Sequence, residues 1–220
     1  MDIKRLAKEF TSLPGNGIFS STVFVDFYNF VQKKTNMKRA TKRIILVGHA
    51  ASGKDYLAAK FVERGFRKDI SLTTRPMRDG ETPGVTYHYV TKEIFLEAIE
   101  RGKFYEHVEF NGWMYGTSMD DWQNADVFIM TPSGVSQIPD SDREDCVIVY
   151  LEIPEEIRRQ RMDLRSDADT TERRLKADRE DFKGFIDYDY RITDPTFDAD
   201  SWIDTLTHAI AKDENSVVTG

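Results

Sequence analysis

The chain has 220 residues, 40% of them hydrophobic, enough to bury one α/β core without disulfide or metal staples. Its formal charge of −7 is the wrong sign for a protein that grips nucleic acid or an anionic membrane over a broad face. The single cysteine, Cys146 in an apolar run, excludes a disulfide framework, and no apolar stretch reaches the length of a membrane span or a signal-peptide core; together they predict a cytoplasmic protein.

Residues 1–42 predict a helical extension. Ile3, Leu6 and Phe10 recur at helical spacing, LPGNG breaks the pattern, and Val23, Phe24, Phe27, Tyr28 and Val31 outline a second amphipathic helix. That stripe must be covered by the protein's own body or, as the sharper alternative, by a second copy in a homodimer. The basic cluster from Lys33 to Arg43 reads as a solvated linker. The apolar run 44–47 then leads into GHAASGKD at 48–55 and a helical pattern from Lys54 to about Arg64, an order of strand, glycine loop and helix. Such a loop turns successive backbone N–H groups toward an anion at the positive end of the helix. Gly48, Ala50, Ala51, Ser52, Gly53, Lys54 and Asp55 are therefore candidate ligands of nucleoside triphosphate phosphates, following G-x-x-x-x-G-K-[S/T] except at Asp55. A glycine turn before an ordinary helix is the bland alternative.

Residues 86–90 alternate as a strand. Thr91 predicts an N-cap for a helix whose face is Ile94, Phe95, Ala98 and Ile99 and which closes at Gly102. Aromatic alternation over 103–115 predicts short strands about a turn at Asn111 and Gly112. The runs 127–130 and 147–151 predict core parallel strands followed by helices. Pro154 starts a helix leading into the arginine-rich stretch 158–179, and a strand at 190–193 and a helix at 198–212 close the chain. This alternation argues an α/β fold with a parallel sheet flanked by helices and ligands at its carboxyl edge.

The segments SLTTRPMRDGETPGVTYHYV and FYEHVEFNGWMYGTS, in this order and spacing, resemble the guanylate kinases, and the resemblance runs from Arg43 to the C-terminal helix. It implies a P-loop NTPase fold with core at 43–74, 116–163 and 176–220, an inserted monophosphate-binding subdomain at 75–115 and a lid at 164–175. It also implies a kinase that uses ATP and Mg²⁺ to phosphorylate GMP or dGMP. Arg75 and Arg78 match the clamp on the acceptor phosphate, helped by Tyr87 and Tyr115; guanidinium suits this because it bonds two phosphate oxygens at once. Glu106 matches the residue that accepts from the guanine amine edge, with Ser71 and Thr117 near O6. Lys54, Arg161, Arg165 and Arg174 match the catalytic cations, although the lid RSDADTTERR is short for the family. The bland alternative for this segment is a charged helix laced with i,i+4 pairs such as Glu155 with Arg159.

Three positions depart from the family pattern: Asp55 for a hydroxyl, Ile129 and Thr131 for strand-end carboxylates, and Asp194 for an Asn near the adenine. Asp55 is thereby a candidate metal contact, the acid having moved from strand to loop, or it serves only the helix N-terminus. Ribose 1,5-bisphosphate kinases and broad deoxynucleotide kinases share the GKD loop and are the alternatives. A non-catalytic protein-binding module of the same fold would tend to have lost Lys54 or the loop glycines.

Overall fold

The structure, a computed structural model, describes residues 42–164 and 170–216. In chain order its first half comprises β1 (Arg43–Gly48), α1 (Lys54–Glu63), β2 (Leu72–Thr73), β3 (His88–Tyr89), α2 (Lys92–Glu100), β4 (Phe104–Phe110) and β5 (Trp113–Ser118). There follow α3 (Met119–Asn124), β6 (Val127–Met130), α4 (Pro132–Val135), α5 (Asp140–Arg143), β7 (Cys146–Leu151), α6 (Glu155–Asp163), α7 (Thr171–Asp181), β8 (Tyr190–Ile192) and α8 (Ala199–Ser216). The N-terminal extension with its apolar stripe, and Arg165 in the expected lid, lie outside the described residues.

The continuous apolar runs form an all-parallel sheet in the order β6-β1-β7-β8, with Val47 opposite Met130 on one side and Tyr150 on the other. Strand alternation divides the core in two. Ile44 and Leu46 face Leu57, Phe61, Ile203 and Leu206 of α1 and α8, while Ile45 and Val47 face Trp122, Phe128, Val135 and Ile138. A sheet covered on both faces needs hydrophobic residues at every position, which is why these strands read as unbroken runs. Each fully buried side chain such as Phe61 contributes roughly 1.5–3 kcal/mol. Cys146 is buried in the second cluster as expected, and burial pushes its thiol up to about 12.

The second sheet, in the order β3-β2-β5-β4, begins at Leu72 and ends at Ser118, reaching beyond the expected limits of 75 and 115. β4 and β5 pair antiparallel about Asn111 and Gly112, both at positive φ (54° and 78°), the pattern of a two-residue hairpin turn. Thr91 caps α2 by accepting from the Ile94 N–H, but the expected apolar face needs one correction. Phe95 is buried against Phe104, whereas Ile94 is half exposed, because its position in the first turn lies off the contact line. The helix expected after β6 is present as α4, whereas the short helices α3 and α5 were not anticipated; six and four residues are too few to show a helical period. Among the described residues no helix is long and apolar enough to cross a membrane.

Candidate active site

The carboxyl ends of β1 and β6 open onto a cavity of about 650 Å³, whose other walls come from β4, β5, residues 75–87 and α7. A second cavity of about 430 Å³, walled by Tyr56, Arg161 and residues 195–197, shares Ala51, Lys54 and Asp55 with the first. The loop after β1 therefore separates two chambers and faces both.

Backbone packing fixes that loop. A Cβ on Gly48 would lie 2.7 Å from Ser52 Oγ and 2.8 Å from the Leu151 carbonyl, so only glycine lets the chain leave the sheet here. Gly53 caps α1 at φ 104°, and Ala51 also adopts a positive φ of 59°, a conformation that costs a non-glycine residue about 1–3 kcal/mol unless its surroundings hold it. Arg161 supplies part of that hold, donating to the Ala51 carbonyl at 3.0 Å and to the Pro195 carbonyl at 2.6 Å. Arg161 thus lies on the smaller cavity as a strut between two loops. Lys54 Nζ folds back onto the Gly48 and His49 carbonyls at 2.5 and 2.9 Å, and burial lowers its pKa against the opposing pull of Asp55 and Asp178. Asp55 is exposed in the first turn of α1 and lines both cavities; the N-cap is Gly53, with no side-chain capping bond.

On the opposite wall of the larger cavity, Arg75 is only 6% exposed and is organised by Glu81, a residue the sequence reading missed. Glu81 Oε1 accepts from Arg75 Nη2 at 2.7 Å, and its Oε2 accepts from the Arg78 N–H and the Tyr89 hydroxyl, each at 2.8 Å. Burial works against the Glu81 carboxylate, but these donors outweigh it and hold its pKa below the usual range. The Arg75 guanidinium also lies 5.4 Å from the Tyr87 ring centroid, and Tyr87 packs edge-on to Tyr115 at 6.0 Å. Burial raises the pKa of both tyrosines, keeping their hydroxyls as donors. Arg78 lines the same cavity. The signal for Glu81 was present in the motif itself, three residues beyond Arg78.

Glu106 is buried at 6% exposure. Its Oε1 accepts the Thr117 N–H at 3.1 Å and the Thr117 hydroxyl at 2.8 Å; burial raises its pKa and these bonds oppose the rise. Thr117 is fully buried and its hydroxyl donates to Glu106, so it helps to set the orientation of that carboxylate. Ser71 lines the cavity and donates to Asp69, a 2% exposed carboxyl that burial pushes up to about 7. Of the departures, Ile129 and Thr131 line the cavity at the end of β6, and Thr131 is the N-cap of α4, accepting from the Gly134 N–H. Asp194 Oδ1 accepts from the Thr196 N–H and hydroxyl, both at 2.8 Å, which makes it the builder of its own turn. Arg174 is nearly buried on α7 and reaches the cavity wall. The structure therefore brings Lys54, Asp55, Ser71, Arg75, Arg78, Tyr87, Glu106, Tyr115 and Arg174 around one cavity.

A family model described as guanylate kinase matches residues 40–212. Guanylate kinase of Syntrophotalea carbinolica is 32% identical over 167 residues, covering 71% of this chain and 79% of its own length. That of Chlorobium luteolum is 29% identical over 161 residues, covering 69% and 82%. The crystal structure of guanylate kinase from Anaplasma phagocytophilum superposes with a TM-score of 0.59 at 24% identity, covering 79% of this chain and 87% of that one, and shows the shared fold. The P-loop architecture, the residues around the larger cavity and these matches agree that the chain belongs to the guanylate kinase family.

Proposed function

We propose that the chain transfers the γ-phosphoryl group of ATP to the phosphate of GMP, giving ADP and GDP. The observation that supports this best is the buried Glu106 carboxylate, set by Thr117 in the wall of the cavity that also carries Arg75, Tyr87 and Tyr115. Guanine offers adjacent N1–H and N2–H donors to a carboxylate. Adenine offers no such pair, and each group left unpaired costs about 1–3 kcal/mol. An oxygen of the acceptor phosphate attacks the γ-phosphorus as the bridge to the β-phosphate breaks, and ADP leaves with the electron pair of that bond. Arg75 and Arg78 hold the acceptor, the first kept in place by Glu81. Lys54 exchanges its two carbonyl partners for phosphate oxygens, and Arg174 meets the charge spreading over the moving group. Arg165 would add to this from the lid. The smaller cavity, with Tyr56 and Phe197 at 5.9 Å, takes the base end of ATP. The place of work is the cytoplasm, where ATP is abundant and Cys146 stays a thiol.

Asp55 fits a contact to Mg²⁺, direct or through water. A single carboxylate beside a phosphate loop would suit Mg²⁺, which is commonly held by one or two carboxylates together with substrate phosphates and water. When bound there, the ion would supply neutralisation of phosphate charge. Asp55→Asn should weaken Mg²⁺ activation and lower kcat strongly with little change in melting temperature. An unaltered magnesium titration, with a stability loss of up to about 1 kcal/mol, would restrict Asp55 to the helix terminus.

A coupled assay with ATP, Mg²⁺ and a panel of monophosphates plus ribose 1,5-bisphosphate tests the whole reading. GMP or dGMP should be turned over far better than AMP, CMP or UMP. Preference for ribose 1,5-bisphosphate would replace the acceptor, and no turnover of any acceptor would favour a binding module.

A further inference from the structure

We propose that Asp178 and Arg158 are positioning residues: Asp178 anchors the phosphate loop, and Arg158 keeps the Asp178 charge from repelling the incoming triphosphate. The proposal rests on the reading of the loop as the ATP cradle. Asp178 on α7 is 1% exposed and Arg158 on α6 is 3% exposed. Asp178 Oδ2 accepts both the Ala50 N–H and Arg158 Nη1, each at 2.9 Å. Arg158 Nε in turn donates at 3.0 Å to the Ile153 carbonyl, two residues beyond β7. A chain of hydrogen bonds therefore runs from the core sheet through a guanidinium and a carboxylate to the backbone of the phosphate loop.

Stability alone does not explain such a pair. Burying two opposite charges costs about as much as their attraction returns, and an apolar pair of similar volume is often as stable or more so. The location supplies a reason. Asp178 is part of the wall of the larger cavity, one helical turn from Arg174, at the loop where several phosphate charges must enter. Burial raises its pKa, opposed by the Ala50 N–H and by the cations of Lys54, Arg158 and Arg174. Unbalanced, a carboxylate here would oppose ATP. Balanced by Arg158, it remains an acceptor that fixes the Ala50 N–H and so the turn of the loop.

The test measures equilibrium binding of a non-hydrolysable ATP analogue and of GMP, at a temperature set below each variant's melting transition. Arg158→Leu should raise the dissociation constant for the analogue at least tenfold while affinity for GMP stays within twofold. Adding Asp178→Asn to Arg158→Leu removes the charge but keeps an amide oxygen for the Ala50 N–H, and analogue binding should return to within threefold of the parent. Adding Asp178→Ala instead removes the oxygen, and binding should stay at least tenfold weaker. A pair that only supports the fold would lower the melting temperature and leave analogue binding unchanged in all three variants. That result, or equal binding in the two double variants, would overturn the proposal. A parent chain that binds the analogue yet phosphorylates no GMP would sink the acceptor reading and leave this test standing.

Discussion

The loop after β1, read here as the donor cradle, is built mostly of backbone, and the wall read as the acceptor site is built mostly of side chains. The loop after β1 is shaped by Gly48 packed against the Leu151 carbonyl, by Ala51 and Gly53 at positive φ, and by struts from Arg161 and Asp178. The wall opposite stands on strands as short as the two residues of β2 and β3, and its chemistry comes from charged side chains held by their neighbours, Arg75 by Glu81 and Glu106 by Thr117. The two regions should therefore fail differently. A backbone cradle tolerates no added volume, whereas a side-chain site tolerates volume but not the loss of a charge or a partner.

The harshest test of that contrast is Gly48→Ala, a single methyl group. Its Cβ would meet Ser52 Oγ and the Leu151 carbonyl under 3.0 Å, so we expect about 1–3 kcal/mol of lost stability and loss of ATP-analogue binding, read by melting and calorimetry. Normal binding in this variant would show that the loop is more pliable than its packing implies. Next comes Arg75→Lys, which keeps the charge but not the fork that bonds Glu81 and a phosphate together; kcat/KM for the monophosphate should fall at least about tenfold with the ATP-analogue affinity unchanged. Equal loss at both substrates would erase the distinction between the two walls.

The smallest effect concerns Asp69, beneath Ser71. Its folded pKa is pushed from 3.8 up to about 7, mainly by burial, with Asp121 and Glu106 adding to the rise and Ser71 and Lys68 opposing it. Between those values the folded chain keeps a proton that the unfolded chain has lost. The resulting stabilisation is complete below about 3.8 and is lost as the pH rises through about 7. Asp69→Asn, which retains an acceptor for Ser71, should flatten the melting temperature against pH between 3.8 and about 7 and raise it above that range. An unchanged slope would mean that Asp69 does not carry that proton.

The donor loop was legible in the sequence because Gly48, Gly53 and Lys54 fall within one short motif whose geometry is local. The unbroken apolar runs of β1, β6 and β7 were legible for a related reason: a strand buried on both faces leaves no choice of residue type. Arg75, Tyr87 and Glu106 became legible through the resemblance, which supplies long-range order that spacing alone lacks. What stayed hidden depends on contacts between distant segments. Asp178 and Arg158 sit in helices so rich in charge that they read as solvated, and only the packing of α7 against Ala50, 128 residues away, turns them inward. That Thr117 donates to Glu106 depends on the pairing of β4 with β5, which no local spacing shows.

The central claim is that the acceptor wall reads guanine through Glu106, and the most direct measurement is the ratio of kcat/KM for GMP to that for AMP in the parent and in Glu106→Gln, side by side. The amide keeps the shape and an acceptor for Thr117 but replaces one acceptor oxygen with a donor, so the ratio should collapse by at least about tenfold, through GMP, with ATP-analogue binding and melting temperature nearly unchanged. A ratio as high in Glu106→Gln as in the parent would contradict the account.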